Sequence, residues 1–259
     1  MSYPSLNPRA IRPTKQLLVL CYHAISPTWS AGLSVTPEAF GRQISGLVRR
    51  GWTPATFSDA VVQPPVGRTL AVTFDDAFAS VKRYALPVLS RLGVAATVFV
   101  PTDYVSRQVP LAWAGMDHWE RSPDVHELMP MTWEDLGEMA EVGWEIGSHT
   151  CSHPLLTSVS DEQLGAELSR SRADCAARIG RPVRAIAYPY GGVDDRVQER
   201  TRAAGYEVAA ALEWPMARSN PHRYPRVGVY HKDGSLRFRA KIARWMRTAG
   251  ETRLLVPGR

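Results

Sequence analysis

Short apolar runs recur along the chain and alternate with segments that carry helix signals. Seven runs have the length and composition of buried strands, and they cover residues 17–22, 69–75, 94–100, 144–148, 184–189, 206–211 and 225–230. Strands with continuous apolar character, separated by helices, predict a parallel sheet that is covered on both faces. The expected fold class is therefore α/β, and seven strands favour a (β/α) barrel, complete or incomplete, over an open sheet.

Start and stop signals predict helices between these strands. Each begins at a capping Ser, Thr or Asp and ends at a glycine, and they run from Thr36 to Gly51, Thr132 to Gly143, Ser160 to Gly180 and Asp194 to Gly205. A basic C-terminal helix over 235–250 has one apolar side, which we expect to pack on the barrel; contact with a membrane surface is the alternative. Residues 101–131 are rich in Trp and Pro and predict a long loop over the strand ends.

Length and composition favour a single domain over residues 1–259, with a core at 17–230. The chain is 44% hydrophobic and 22% charged, which is typical of a globular protein. Its net charge is +6, but the basic residues are spread along the chain, so no nucleic-acid partner is predicted. Three cysteines without CxxC spacing argue against a disulfide framework. No run has the length of a transmembrane helix or a signal-peptide core, and we expect a soluble cytoplasmic protein.

Two acidic residues and two histidines carry the candidate chemistry. Asp75 and Asp76 end one apolar run, while His149 and His153 follow another. Pro154 disfavours a helix at His153, so the histidine pair is expected on a turn. Adjacent buried carboxylates would repel each other without a cation. A divalent metal bound by Asp76, His149 and His153 would supply that cation and leave Asp75 free to take a proton from water.

Other interpretations of these residues stay open at this stage. The histidines could be a surface pair near a turn, and the aspartates could cap the next helix. Two histidines and one carboxylate are also the facial triad of non-haem iron(II) oxygenases. Cys151 lies between the two histidines and could be a soft ligand, although we expect it to pack away from the ion.

Three motifs in the same order resemble the polysaccharide deacetylase family, also known as the NodB homology domain or carbohydrate esterase family 4. The first is TFDD at residues 73–76, the second is GWEIGSH at 143–149 followed by His153, and the third is PYG at 189–191. The resemblance spans roughly residues 17–230. It implies a distorted (β/α) barrel of seven or eight strands.

The resemblance also implies roles for the matching residues. Asp75 corresponds to the general base, and Asp76, His149 and His153 correspond to the ligands of a divalent ion. The backbone N–H of Tyr190 would help to hold the oxyanion. Zn²⁺ is the expected ion, and the same ligand set accepts Co²⁺, Ni²⁺ or Fe²⁺.

The chain departs from the family pattern at two places. Ala187 stands where most members carry an arginine that pairs with the base; Arg226 is the candidate substitute, and a structural or surface arginine is the alternative. The LCYHAI sequence at residues 20–25 resembles the branch of poly-β-1,6-N-acetylglucosamine deacetylases with an N-terminal YH motif. That branch implies His23 as the general acid, with His231 as its rival.

The function implied by the resemblance is metal-dependent N-deacetylation of an N-acetylated sugar or saccharide. An amidase acting on a linear or cyclic non-sugar amide and a non-catalytic saccharide-binding relic are the alternatives. A lipid-linked, nucleotide-linked or other intracellular sugar would fit the expected compartment. Trp113, Trp119 and Trp214 could stack on sugar rings or belong to the core.

Overall fold

The strands follow the predicted apolar runs closely. The structure is a computed structural model that describes residues 16–63, 67–212 and 220–251. Trp214 therefore lies outside the described residues. The strands are β1 (Gln16–Tyr22), β2 (Ala24–Ile25), β3 (Ser34–Val35), β4 (Thr53–Ala55), β5 (Arg68–Phe74), β6 (Thr97–Val100), β7 (Glu145–Ser148), β8 (Ala185–Ala187), β9 (Val208–Ala211), β10 (Tyr224–Pro225) and β11 (Val227–Gly228).

All the paired strands run parallel, and the main sheet curves into a nearly closed barrel. Its order is β10-β9-β8-β7-β6-β5-β1-β11, with β4 beside the first half of β5. The last two strands are separated by Arg226 alone, yet β10 pairs with β9 and β11 pairs with β1. One short interrupted strand therefore joins the two ends of the sheet. This architecture confirms the predicted α/β fold with a distorted (β/α) barrel.

The helices pack outside this sheet. They are α1 (Pro37–Val48), α2 (Phe57–Val62), α3 (Leu86–Arg91), α4 (Thr102–Arg107), α5 (Trp133–Glu141), α6 (Asp161–Ile179), α7 (Asp195–Ala203) and α8 (Ser235–Glu251). The predicted caps are present at the starts of α1, α5, α6 and α7, including a full capping box between Thr132 and Asp135. A side-chain acceptor at the first turn satisfies N–H groups that have no partner inside the helix.

The short helices α2, α3 and α4 were missed by the sequence analysis. The loop predicted over 101–131 begins with α4 and contains two 3-10 turns, so it is less irregular than expected. Helix α2 supplies Phe57 and Ala60, which pack with the inward-facing residues of β1, β5, β6, β8 and β9 and fill one end of the barrel. Helices this short are stabilised by such packing more than by local propensity.

Helix α8 packs on α1 and β11, as predicted for the C-terminal helix. Its buried residues Phe238, Ile242 and Trp245 extend the main core, which lies between the sheet and the helices. Within the described residues, no helix combines the length and the apolar character that crossing a bilayer would require.

Candidate metal and catalytic centre

The candidate residues gather at one edge of the barrel. His23 directly follows β1, Asp75 and Asp76 follow β5, and His149 follows β7. Tyr190 lies in the 3-10 turn after β8. Because the carboxyl ends of parallel strands meet at one edge, residues far apart in sequence come together there.

Asp76, His149 and His153 point their ligand atoms at one another. Oδ1 of Asp76 lies 3.3 Å from Nε2 of His149 and 3.5 Å from Nε2 of His153. All three side chains are buried, and one ligand atom from each lies within 4.8 Å of the others. A carboxylate oxygen with two imidazole nitrogens is a donor set that zinc and similar divalent ions accept.

The electrostatics of these three residues fit a bound cation. Oδ1 of Asp76 is buried and accepts no hydrogen bond from any described residue. Burial lowers the pKa of His149, but the carboxylates of Asp76 and Asp75 and the Ala187 carbonyl together outweigh burial, so the net pKa is raised. Burial lowers the pKa of His153 to about 3, so this imidazole is neutral and can ligate a metal. The Asp76 carboxylate thus favours a positive charge nearby, but the His153 imidazole stays neutral and does not supply it.

The backbone and a buried glutamate hold the two imidazoles in place. Nδ1 of His149 lies 2.8 Å from the carbonyl oxygen of Ala187, which directs Nε2 toward Asp76. Glu167 of α6 accepts hydrogen bonds from the N–H groups of Cys151 and Ser152 and from the Ser152 hydroxyl. These bonds fix the turn that carries His153. Glu167 was missed by the sequence analysis, although a glutamate between apolar positions of α6 was a signal of a buried acceptor.

The Cys151 thiol turns away from the candidate ligands, as the sequence analysis expected. Its Sγ lies 3.1 Å from Nε of Arg170 and 3.6 Å from the carbonyl oxygen of Glu167. It is absent from both described clusters of ligand-type side chains.

The Asp75 carboxylate is paired with an arginine and does not belong to the cluster of Asp76, His149 and His153. Arg226 donates from Nη1 to Oδ1 at 2.7 Å and from Nη2 to Oδ2 at 2.8 Å, and both side chains are buried. Burial raises the pKa of Asp75, but the Arg226 guanidinium outweighs burial and holds this pKa well below its usual range. Arg226 also donates to the Thr73 hydroxyl and lies over the Phe99 ring. Arg226, the arginine that was expected to replace the family's usual one, is thus hydrogen-bonded directly to Asp75.

The position of Arg226 follows from the way the barrel closes. It is the residue between β10 and β11, where the closing strand is interrupted. Ala187, at the position of the family's usual arginine, is buried with the inward-facing residues of the barrel. The guanidinium therefore reaches Asp75 from a different strand.

His23 and Cys21 lie on the other side of Asp75. Sγ of Cys21 is 3.4 Å from Oδ2 of Asp75, and ligand-type atoms of Cys21, His23 and Asp75 lie within 4.8 Å of one another. Nδ1 of His23 is buried and has no hydrogen-bond partner among the described residues. His231, the rival acid, is exposed and belongs to neither described cluster. Cys21 was noticed only as a cysteine, because its contact with Asp75 needs the pairing of β1 with β5.

Aromatic side chains cover the histidine side of the centre. The Trp113 ring stacks on the His153 imidazole at 3.9 Å between centroids, and the half-exposed Tyr190 ring meets it edge-on at 4.8 Å. Tyr190 has a φ of 58°, which a residue with a side chain seldom adopts. Asp76, Ala77, Thr150 and His153 also have positive φ. Strained backbone of this kind concentrates at functional sites.

Comparisons with known proteins point to one family. The sequence profile described as "Polysaccharide deacetylase" matches residues 63–209, more than half of the chain. The poly-β-1,6-N-acetyl-D-glucosamine N-deacetylase of Staphylococcus aureus is 24% identical over 254 residues, which cover 93% of this chain and 82% of that protein. YxkH of Bacillus subtilis is 26% identical over 207 residues, 78% of this chain; the match spans 66% of its own length.

Solved structures agree in fold. IcaB from Ammonifex degensii superimposes with a TM-score of 0.71 at 26% identity, covering 89% of this chain and 97% of that one. The polysaccharide deacetylase BC0361 from Bacillus cereus gives a TM-score of 0.70 at 26% identity, covering 88% of this chain and 69% of that one.

Proposed function

The chain belongs to the polysaccharide deacetylase family, and from this premise we propose that it is a metal-dependent N-deacetylase that releases acetate from an N-acetylated saccharide. The observation that carries the proposal is that two neighbouring buried carboxylates have different partners. Asp75 is paired with Arg226, whereas Oδ1 of Asp76 lies within 3.5 Å of the imidazoles of His149 and His153. One carboxylate is thus available as a base and the other as a ligand.

Asp76, His149 and His153 would hold the divalent ion. Zn²⁺ is the expected ion, and Co²⁺, Ni²⁺ and Fe²⁺ suit the same donors. When bound, such an ion would polarise the acetyl carbonyl and lower the pKa of a water molecule.

Asp75 would take the proton from the attacking water. Each carboxylate oxygen has two lone pairs, so an oxygen that accepts from Arg226 can still accept a proton from a second partner. The low pKa of Asp75 keeps the carboxylate ionised at neutral pH, and the guanidinium fixes its orientation. Asp75 is therefore ionised and correctly oriented at neutral pH, although its low pKa makes it a weaker base.

His23 would donate a proton to the departing amine nitrogen. An amine leaves poorly without that proton, which is why an acid is needed. His23 lies beside Asp75 and has a buried ring nitrogen without a partner, and these two facts favour it over the exposed His231. The backbone N–H of Tyr190 would donate to the oxyanion of the tetrahedral intermediate.

The substrate class is proposed from the family and its relatives. An N-acetylglucosamine polymer is the substrate named for the Staphylococcus aureus relative. A lipid-linked or nucleotide-linked N-acetyl sugar would fit the cytoplasmic location expected from the sequence. That location stays a prediction, and fractionation of cells that produce the full chain tests it.

Acetate release from a panel of N-acetylated saccharides, measured with each added metal, tests the proposal. Asp75→Asn should lose at least about 10³-fold in kcat while still binding metal and saccharide. A saccharide-binding relic would release no acetate, and Asp75→Asn would leave its binding unchanged. Turnover of simple non-sugar amides alone would indicate an amidase, and dioxygen consumption would indicate an oxygenase.

A further inference from the structure

A groove of about 680 Å³ lies between α1 and α8, outside the catalytic centre. Its lining includes Gln16 and Arg68, the first residues of β1 and β5. It therefore opens on the side of the barrel toward the amino ends of these strands, whereas the catalytic residues follow the carboxyl ends. We call this feature the α1–α8 groove.

Five exposed arginines surround the α1–α8 groove, and no acidic residue lines it in the part of the chain that the structure describes. They are Arg42, Arg49, Arg50, Arg68 and Arg239. Two of them donate only to backbone carbonyls, from Arg50 to Gly46 and from Arg68 to Arg50. None forms an ion pair with a described carboxylate.

Three arginines elsewhere on the surface are paired with carboxylates. Arg170 binds Asp103, Arg184 binds both Asp59 and Glu207, and Arg196 binds Asp161. The arginines around the groove are distinguished by their clustering, because five of them line one feature with no carboxylate partner among the described residues. Five like charges held together destabilise a free protein, and an anionic partner would relieve their repulsion.

The floor of the α1–α8 groove is apolar. It is formed by Leu47, Trp52, Phe238, Ile242 and Met246. Beside it, Leu236 in the first turn of α8 is 82% exposed. Leu236 shares one side of α8 with Arg239 and Ala243, at i, i+3 and i+7, and both of these line the groove. An exposed leucine next to a basic rim is typical of helices that lie on membranes.

We propose that the α1–α8 groove docks the protein on the surface of an anionic phospholipid bilayer. Lipid phosphates would bind the arginine forks, while Leu236 and the floor of the groove would contact the glycerol and upper acyl region. A nucleic acid would satisfy the arginines but would leave the apolar floor without a partner. The terminal stretches 1–15 and 252–259 contain no acidic side chain, so their charge does not complement the groove.

Docking in this way leaves the catalytic centre uncovered. No residue of the groove belongs to the two clusters around Asp75 and Asp76. Binding to vesicles and acetate release from a soluble substrate are therefore separate properties. The groove can fail its test while the proposed deacetylase activity stands, and the reverse also holds.

Vesicle flotation of the full chain tests the proposal. Vesicles of phosphatidylcholine alone are compared with vesicles that contain 30 mol% phosphatidylglycerol, on the order of an anionic membrane leaflet. We expect binding only to the anionic vesicles, and weakening by added salt. The double variant R42Q/R239Q should weaken binding about 30-fold, since each arginine near such a surface contributes about fivefold and the two losses multiply.

Two further variants make the test specific. R178Q/R202Q removes the same charge from exposed arginines of α6 and α7 and should change binding less than about 3-fold. Leu236→Gln should weaken vesicle binding about tenfold without changing the charge. Because all five substituted side chains are exposed, the variants should keep the wild-type Tm and activity.

Several outcomes would overturn the proposal. They are no binding to anionic vesicles, an equal loss in R42Q/R239Q and R178Q/R202Q, or a Leu236→Gln protein that binds as tightly as wild type. An R42Q/R239Q-sensitive dimer, or tight binding of a DNA oligonucleotide without vesicle binding, would assign the groove to another partner.

Discussion

Arg226 and Asp75 form a buried, two-pronged ion pair, with N–O distances of 2.7 and 2.8 Å, across 151 positions of sequence. Arg226 also donates to the Thr73 hydroxyl at 3.0 Å. The guanidinium lowers the pKa of Asp75 and so keeps this carboxylate ionised. The first prediction follows from this contact.

Replacing Arg226 with Met should shift the acid limb of the kcat/KM profile to higher pH. Burial raises the pKa of Asp75, and without the guanidinium only the charges of His149 and His23 oppose it. In the wild type the pKa is depressed, so the pair's contribution to stability is present above the unfolded value near about 4 and is lost as pH falls through the lower folded value. We expect a stability loss of about 3–5 kcal/mol, measured by denaturant unfolding at pH 7.

Arg226→Lys is the matched control, because it keeps the positive charge and loses the paired hydrogen bonds of the guanidinium to Asp75. It should show a smaller shift of the acid limb and a smaller loss of stability than Arg226→Met. An unchanged acid limb in Arg226→Met would show that Arg226 does not control Asp75.

Removing the metal should abolish activity and lower the Tm. Dialysis against a chelator followed by one equivalent of Zn²⁺ or Co²⁺ should restore both. An ion at 100 times its Kd stabilises the folded state by about 2.7 kcal/mol, which calorimetry can resolve. Asp76→Asn should lose ion binding, whereas Asp75→Asn should keep it. Full activity after chelation, or equal loss of ion binding in the two variants, would contradict the assigned ligands.

His23→Ala should separate amide from ester hydrolysis. We expect kcat on an N-acetylated saccharide to fall about 10²–10⁴-fold, because the amine leaves without a proton. An aryl acetate has a leaving group that needs no protonation, so its hydrolysis should fall much less. His231→Ala should stay within about 3-fold of wild type on both substrates. The opposite pattern would make His231 the acid.

Glu167→Ala should loosen the turn that carries His153. The substitution leaves the buried N–H of Cys151, the partly buried N–H of Ser152 and the Ser152 hydroxyl without their acceptor. We expect a stability loss of about 2–4 kcal/mol and an ion affinity about 10–100-fold weaker, measured by unfolding and by titration calorimetry. Glu199→Ala, on the exposed side of α7, is the control and should change neither quantity. Unchanged ion affinity in Glu167→Ala would show that the turn holds its shape unaided.

Trp113→Ala should weaken ion binding about tenfold, because the indole stacks on the His153 imidazole and limits its motion. Trp113→Phe keeps an aromatic ring and should recover most of the affinity. Trp119 packs edge-on against Trp29 and not on a candidate ligand. Trp119→Ala should therefore leave the ion affinity unchanged, and any effect should be confined to KM. If both alanine variants bind the ion as wild type does, Trp113 has no part in holding His153.

Local patterns explain why much of the fold was predictable. Seven apolar runs became strands, and helix caps at Thr36, Thr132, Ser160 and Asp194 formed where the residue types suggested. Helix caps and apolar strand segments depend on residues within a few positions of each other, so they can be predicted from the sequence alone. The short helices α2, α3 and α4 were not predicted, because the stability of such short helices comes mainly from the core against which they pack.

The candidate site divides in the same way. His149 and His153 lie four residues apart and Asp75 adjoins Asp76, so the sequence by itself determined the chemistry available and the strand ends that carry it. Only the tertiary structure decided that Arg226 pairs with Asp75, that Glu167 holds the histidine turn and that His23, not His231, lies beside Asp75. These contacts join distant segments through the closure of the barrel and the docking of α6, and no local pattern records which strand will bring a side chain across the barrel.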